Sequence, residues 1–321
     1  MPGLKISLLQ QPLVWMDGPA NLRHFDRQLE GITGRDVIVL PEMFTTGFAM
    51  EAAKQSLPEA DVVEWMHARA AQSQALIAGS AALQTEHGAV NRFLLVEPDG
   101  TVHHYDKRHL FRMADEHHHY EAGNQRVVFE WRGWRILPLV CYDLRFPVWS
   151  RNQNDYDLAL YVANWPAPRS LHWQSLLIAR AIENQAYVAG CNRVGTDGNG
   201  HHYRGDSRII NPQGEIIATA DPHQATRLDA ELSLSALQEY REKFPRLARC
   251  RSFHDRLITL REPLRSLFIP PRSAQHSRPI TLPASSSVAA RTAKTGAETD
   301  APPAPSTDFP ARQSPPAADS R

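Results

Sequence analysis

All seven tryptophans and all eight tyrosines of this 321-residue chain lie in residues 1–245. Only that part carries enough large apolar side chains to build a core. The last 76 residues hold 11 of the 24 prolines and one glycine, Gly296. From about Pro270 onward they are Pro, Ala, Ser, Thr and Arg with almost no large apolar residue. Such a segment cannot bury enough surface to offset its chain entropy. Charge divides at the same place. Residues 1–245 carry 23 Lys+Arg and 29 Asp+Glu, a net of −6, whereas 246–321 carry 12 and 6, a net of +6. The formal charge of zero is the sum of these two parts. The expected organisation is one folded domain over 1–245 and an atypical basic, Pro-rich, mostly disordered tail over 246–321. Within the tail, 246–269 reads either as a solvated segment or as a basic amphipathic helix ending at Glu262, before Pro263.

No window approaches the roughly 18 apolar residues of a membrane-spanning helix, and the first residues do not form a signal-peptide core. Three cysteines make no disulfide framework, so a reducing, cytoplasmic location is expected. A basic tail suits nucleic acid or anionic lipid in principle, but no motif supports either partner. Phosphate-binding glycine patterns are absent as well.

Along the first part, short apolar runs alternate with amphipathic stretches. Strands are predicted at Lys5–Gln10, Asp36–Leu40, Ala75–Leu83, Asn91–Glu97, Thr101–Tyr105, Trp134–Val140, Asp157–Ala163 and Ala186–Asn192. A hairpin joins Ser207–Asn211 to Glu215–Thr219. Helices are predicted at Gly18–Leu29, Val62–Gln74, after Pro147, at Leu171–Asn184 and at Leu232–Glu242. Crossovers mixed with hairpins imply an α/β layered sandwich.

Three strands run into reactive polar residues, where a layered α/β fold gathers its chemistry. DVIVLP leads into Glu42, a carboxylate that is either one half of a buried ion pair or a general base. The strand ending at Tyr105 precedes Lys107, either a surface lysine or a fixed cation. RILPLV ends at Cys141, either a small core residue or a nucleophile whose thiol pKa is lowered by a following helix N-terminus. Cys191, inside a strand, reads as core, and Cys250 falls in the tail. A nucleophile, a base and a cation together suffice for acyl transfer through a thioester.

LPEMF, YDKRHLF and CYDLRFP, in this order and spacing, resemble the three signature motifs of the nitrilase superfamily of carbon–nitrogen hydrolases, over about residues 1–245. The resemblance implies an α-β-β-α sandwich that dimerises into an eight-layered unit. It makes Glu42 the base, Lys107 the cation that stabilises the intermediate and Cys141 the nucleophile. Glu116, seven residues before Gly123, matches the family's second glutamate better than Glu121. The Tyr142 N–H is expected in the oxyanion hole, with Asn164 and Trp165 lining the pocket. YVANWPAPR, the stretch 172–195 and GDSRIINPQGEII resemble the bacterial omega-amidase branch, which releases ammonia from 2-oxoglutaramate or 2-oxosuccinamate. Arg145, Arg169 and Arg193 are candidates for the substrate carboxylate, each weighed against a structural ion pair. No metal or organic cofactor is implied. Adjacent histidines (117–119 and 201–202) point in different directions, which argues against a shared ion. The expected partners are a small amide substrate and a second copy of the chain. The rivals are another amide, a carbamoyl compound, deaminated glutathione or a nitrile as substrate, and an inert scaffold with a partner-binding basic tail. The family's ending is short, acidic and aromatic. The basic continuation after YREKFP departs from it and is expected to weaken folding or dimerisation while sparing the catalytic residues.

Overall fold

Alternating apolar runs supply the strands of two six-stranded sheets packed face to face. The structure, a computed structural model, describes residues 3–245, so the predicted tail with its stretch 246–269 and Cys250 lies outside the described residues. In chain order the first sheet receives β1 (Leu4–Gln10), β2 (Val37–Val39), β3 (Leu76–Thr85), β4 (Gly88–Val96) and β5 (Val102–Asp106). The second receives β6 (Phe129–Trp131), β7 (Trp134–Val140), β8 (Leu158–Ala163) and β9 (Tyr187–Asn192). A small hairpin, β10 (Val194–Thr196) with β11 (His202–Arg204), follows. Then β12 (Arg208–Ile210) and β13 (Ile216–Thr219) extend the second sheet, and β14 (Thr226–Leu232) returns to the first. The strand orders are β14-β1-β2-β3-β4-β5 and β13-β12-β9-β8-β7-β6.

Successive strand residues point to opposite faces, and this alternation makes the layers. Ile6, Leu8, Val37, Val39, Leu76 and Ala78 face the second sheet in the central core, against residues such as Ile136, Leu160 and Val162. Ile38, Ile77, Leu94 and Val96 face the other way, onto helices α1 (Gly18–Leu29) and α3 (Glu59–Ser73). Those helices bury residues three or four apart: Asn21, Phe25 and Leu29 on α1, and Val62, Met66 and Ala70 on α3. Between them lies the one-turn α2 (Ala52–Gln55). Asp17 caps α1 by accepting the Ala20 N–H at 2.9 Å. On the far side α4 (Ser170–Asn184) presses Trp173 and Leu177 onto β9. A Cβ at Gly190 would stand 2.6 Å from a Leu177 methyl, so only glycine lets helix and strand approach this closely. The fold is therefore the α-β-β-α sandwich of the nitrilase type.

Several elements differ from expectation; α2, β6, β10 and β11 were not predicted, and three further differences have a clear local reason or pattern. No helix follows Pro147. Residues Cys141–Arg145 form a 3-10 turn, and Asn152 then fastens a loop by accepting the Asp155 N–H and donating to the Tyr156 carbonyl. Side chains of this kind compete with the helical ladder. Leu232 ends strand β14 rather than opening a helix. The last helix, α5 (Leu234–Lys243), starts after Ser233, whose hydroxyl accepts the Ala236 N–H. Strand β14 itself was not predicted, although Arg227, Asp229 and Glu231 alternate with Leu228, Ala230 and Leu232 along it.

Candidate active site

The predicted strand-end residues meet. Glu42 follows β2 on a segment anchored to β3 by the Leu40 N–H to the Ala78 carbonyl and the Met43 N–H to the Ser80 hydroxyl. Lys107 follows β5 and Cys141 follows β7. Glu42, Lys107 and Glu116 expose none of their surface. The Lys107 ammonium donates to Glu42 Oε1 at 3.0 Å and to both oxygens of Glu116 at 2.9 Å. The Phe48 ring covers the ammonium at 5.1 Å.

Isolated charges do not survive burial, and these are paired and hydrogen-bonded throughout. Burial alone would lower the Lys107 pKa, but Glu116 and Glu42 outweigh it and hold the ammonium above the ordinary lysine value. Glu116 is pushed the other way from a usual ion pair. Burial, together with the charge of Glu42, raises its pKa despite Lys107. Its second oxygen accepts the Phe111 N–H. Gly123 explains the spacing that singled out Glu116. A Cβ there would lie 2.1 Å from the Asp106 carbonyl oxygen, and the Gly123 N–H donates to the Lys107 carbonyl. Only glycine can close the loop carrying Glu116 onto the strand end carrying Lys107.

Cys141 is half-buried and has φ +45, a left-handed conformation costly for a residue with a side chain. The expected helix start is a 3-10 turn rather than an α-helix, and the thiol pKa moves opposite to expectation. Burial raises it well above the usual value, and the charge and hydrogen bond of Glu42 add to that, against Lys107. The resting thiol is therefore protonated, with its proton beside a carboxylate. Cys191 is fully buried in β9, as expected of a core cysteine.

Two residues at the centre escaped sequence reasoning. Asn91 on β4 donates to Glu42 Oε1 at 2.8 Å and to Glu116 Oε1 at 3.4 Å, bridging the two carboxylates. The signal was an asparagine in a strand whose other polar side chain is Arg92. Asp143, two residues after Cys141, is wholly buried. It accepts from the Tyr105 hydroxyl, the Val140 N–H, and the His109 N–H and imidazole. It thereby ties the turn holding Cys141 to the segment holding Lys107.

Asn164 is closer to the chemistry than a lining residue. Its N–H donates to Glu42 Oε2 at 2.7 Å and its side-chain amide to the Glu42 carbonyl at 2.6 Å. Trp165 is buried and donates to the Arg169 carbonyl. Arg145 lies 4.8 Å over the Trp165 ring and bonds His172, and Arg169 lies 5.3 Å over Phe111. Phe111 in turn meets the Tyr142 ring edge-on. Among the described residues neither arginine pairs with a carboxylate. Arg193 differs: it is fully buried, stacks on Tyr203 and donates to the carbonyls of Leu13, Val194 and Thr196. It braces loops and exposes nothing to a diffusing anion. A cavity of about 500 Å³ lined by Lys5, Arg35, Asp36, Gln74, Arg132 and Glu231 contains none of these residues.

The fold and its comparisons place the chain among the hydrolases of amide carbon–nitrogen bonds. The chain belongs to the carbon–nitrogen hydrolase family, whose pattern matches residues 5–242. It is similar to an omega-amidase, YafV, of Escherichia coli K12, with 86% identity over 245 residues that cover 76% of this chain and 96% of the relative. A 2-oxoglutaramate amidase of Bacillus subtilis is 36% identical over 217 residues, covering 65% and 83%. Among solved structures, a CN-hydrolase superfamily protein of Xanthomonas campestris, carrying an arsenic adduct in its active site, superposes with a TM-score of 0.76. It is 45% identical, over 77% of this chain and 97% of that one.

Proposed function

We propose that this chain is an omega-amidase that hydrolyses the terminal amide of 2-oxoglutaramate or 2-oxosuccinamate to the 2-oxo dicarboxylate and ammonia. The observation that carries the chemistry is the buried Lys107 ammonium held between Glu42 and Glu116; burial and the Glu42 charge hold the Cys141 thiol pKa up beside them. Glu42 takes the thiol proton as the sulfur attacks the amide carbon. Lys107 and the Tyr142 N–H hold the developing oxyanion. That N–H is available because the first N–H groups of a helical turn have no partner within the turn. Protonated Glu42 then passes its proton to the departing nitrogen, which leaves as ammonia. Water, deprotonated by Glu42, attacks the thioester; the carboxylic acid leaves and the thiol is restored. Glu116 fixes the ammonium, and Asn91 and Asn164 fix Glu42. Every proton moves between groups of the chain, the substrate and water.

Arg145 and Arg169 suit a substrate that ends in a carboxylate, being cations without acidic partners among the described residues, beside an aromatic wall. We assign the hydrolase domain to residues 1–245 and a cytoplasmic location, which suits a free catalytic thiol. No helix among the described residues is long and apolar enough to cross a membrane. We assign a homodimer too: Met113, Val148 and Leu171 are 82%, 89% and 73% exposed, a cost that a partner copy would relieve.

The test is ammonia release from 2-oxoglutaramate, 2-oxosuccinamate, a carbamoyl amide, deaminated glutathione and a nitrile. The two 2-oxo amides should have the highest kcat/KM. A larger value for any other compound overturns the substrate, and no turnover of any compound favours an inert scaffold. Light scattering should give twice the chain mass.

A further inference from the structure

The loop that delivers Glu116 carries a second group of donors that the amidase chemistry does not use. One donor atom each from Asp115, His117 and His118 lies within 4.8 Å of the others. The histidine rings, expected to diverge, stand 3.9 Å apart between centroids in the 3-10 turn Glu116–His118. His117 Nδ1 is buried without a hydrogen-bond partner among the described residues. His119 stands apart, paired with Glu51 at 3.4 Å.

We propose that Asp115, His117 and His118 form a binding site for a divalent cation of the zinc class, separate from the catalytic residues. Two imidazoles and one carboxylate are a donor set suited to zinc, with water completing the shell. Tetrahedral ligation at bonds of about 2.1 Å puts donors about 3.4 Å apart, so small side-chain rotations close the site. Asp115 and His118 are exposed, which gives the ion an open route. Arg112 acts on His117 as an opposing positive charge and sets a limit on affinity. The two histidines and Glu116 share one turn, and the Glu116 carboxylate points to Lys107 while Asp115 and His118 are exposed. An ion that pulls the two rings and Asp115 together tightens the turn holding the catalytic ion pair. It also places positive charge near the Glu116 carboxylate, in competition with Lys107. The ion therefore inhibits; this half of the inference rests on the role given to Glu116, whereas binding itself does not.

The binding test uses tag-free full-length chain carrying Cys141→Ala, so that the active-site thiol cannot hold the metal. Zinc chloride is titrated calorimetrically into this chain and into the same chain with His117→Asn and His118→Asn. One equivalent should bind to the first, and affinity should fall at least about tenfold in the second. Asp115→Asn should weaken binding less. Equal affinity in both chains, or none in the first, overturns the site; thermal melting verifies that the variants are folded. In chains with Cys141 intact, zinc should inhibit ammonia release at lower concentration when both histidines are present. Identical inhibition of the two chains overturns the coupling to Glu116 while leaving the binding result standing.

Discussion

Cys141 and Cys191 belong to the same sheet, one just past the end of β7 and the other within β9, with β8 between them. Burial raises both thiol pKa values, so neither rests as a thiolate. What separates them is the neighbour. The Cys191 sulfur faces the backbone carbonyls of Leu9 and Val39 at 3.6 and 3.5 Å, which accept a hydrogen bond but cannot take a proton. Cys141 faces Glu42, itself held by Lys107, Asn91 and Asn164. On the proposed mechanism, reactivity comes from a fixed base and a nearby cation, not from a thiol that ionises by itself. A protonated nucleophile that transfers its proton only during attack also needs no exposed thiolate.

The comparison breaks most sharply at the sulfur. Cys141→Ala should lower ammonia release by at least about a thousandfold, whereas Cys191→Ala should leave kcat unchanged and cost about 1–2 kcal/mol of unfolding free energy in urea. Next comes the base. Glu42→Gln should lower kcat between about a hundredfold and ten-thousandfold. It should also lower the pKa of Cys141, read from the pH dependence of iodoacetamide alkylation. The sign follows from Glu42 being a cause of the raised value and Lys107 opposing it; an unchanged or higher pKa would show that Glu42 is not coupled to the thiol. A substrate must also be brought to one thiol and not the other. Arg145→Met or Arg169→Met should reduce kcat/KM for 2-oxoglutaramate roughly ten- to hundredfold, and hardly affect an uncharged amide of the same length. Smallest is the bridge between the carboxylates. Asn91→Ala should cost about tenfold in kcat, with KM little changed, because it unfastens Glu42 without touching substrate.

The unequal legibility of these residues has a physical basis. Glu42 and Cys141 were readable because each ends an apolar strand, where a charged or reactive side chain has to be explained, and Lys107 because it follows a strand end directly. Glu116 was readable through its distance from Gly123, now seen as a place where a loop crosses a carbonyl too closely for any side chain. Asn91 and Asp143 were missed because their work is done on partners distant in sequence: Asn91 and Glu42 are 49 residues apart, and Tyr105 and Asp143 are 38 apart. The sandwich followed from the order of strand and helix patterns. The left-handed turn at Cys141 did not, since nothing in the local sequence marks it, and the bonds that tie it to the rest of the chain, from Tyr105 and His109 onto Asp143, are distant in sequence. Arg193 shows the opposite error. An arginine next to a pocket strand suggested ligand binding, but its side chain is fully buried, with Nε and Nη2 on main-chain carbonyls and the guanidinium over Tyr203.

Strand β14 pairs with β1 along its whole length, from Leu4 beside Leu232 to Gln10 beside Thr226. The first strand to leave the ribosome thus waits for one of the last. Until then one edge of β1 offers its unpaired N–H and C=O groups to any other strand. The domain consequently closes late in its own synthesis, and a chain stopped before about residue 232 would hold most of its catalytic side chains on a sheet with an open, adhesive edge.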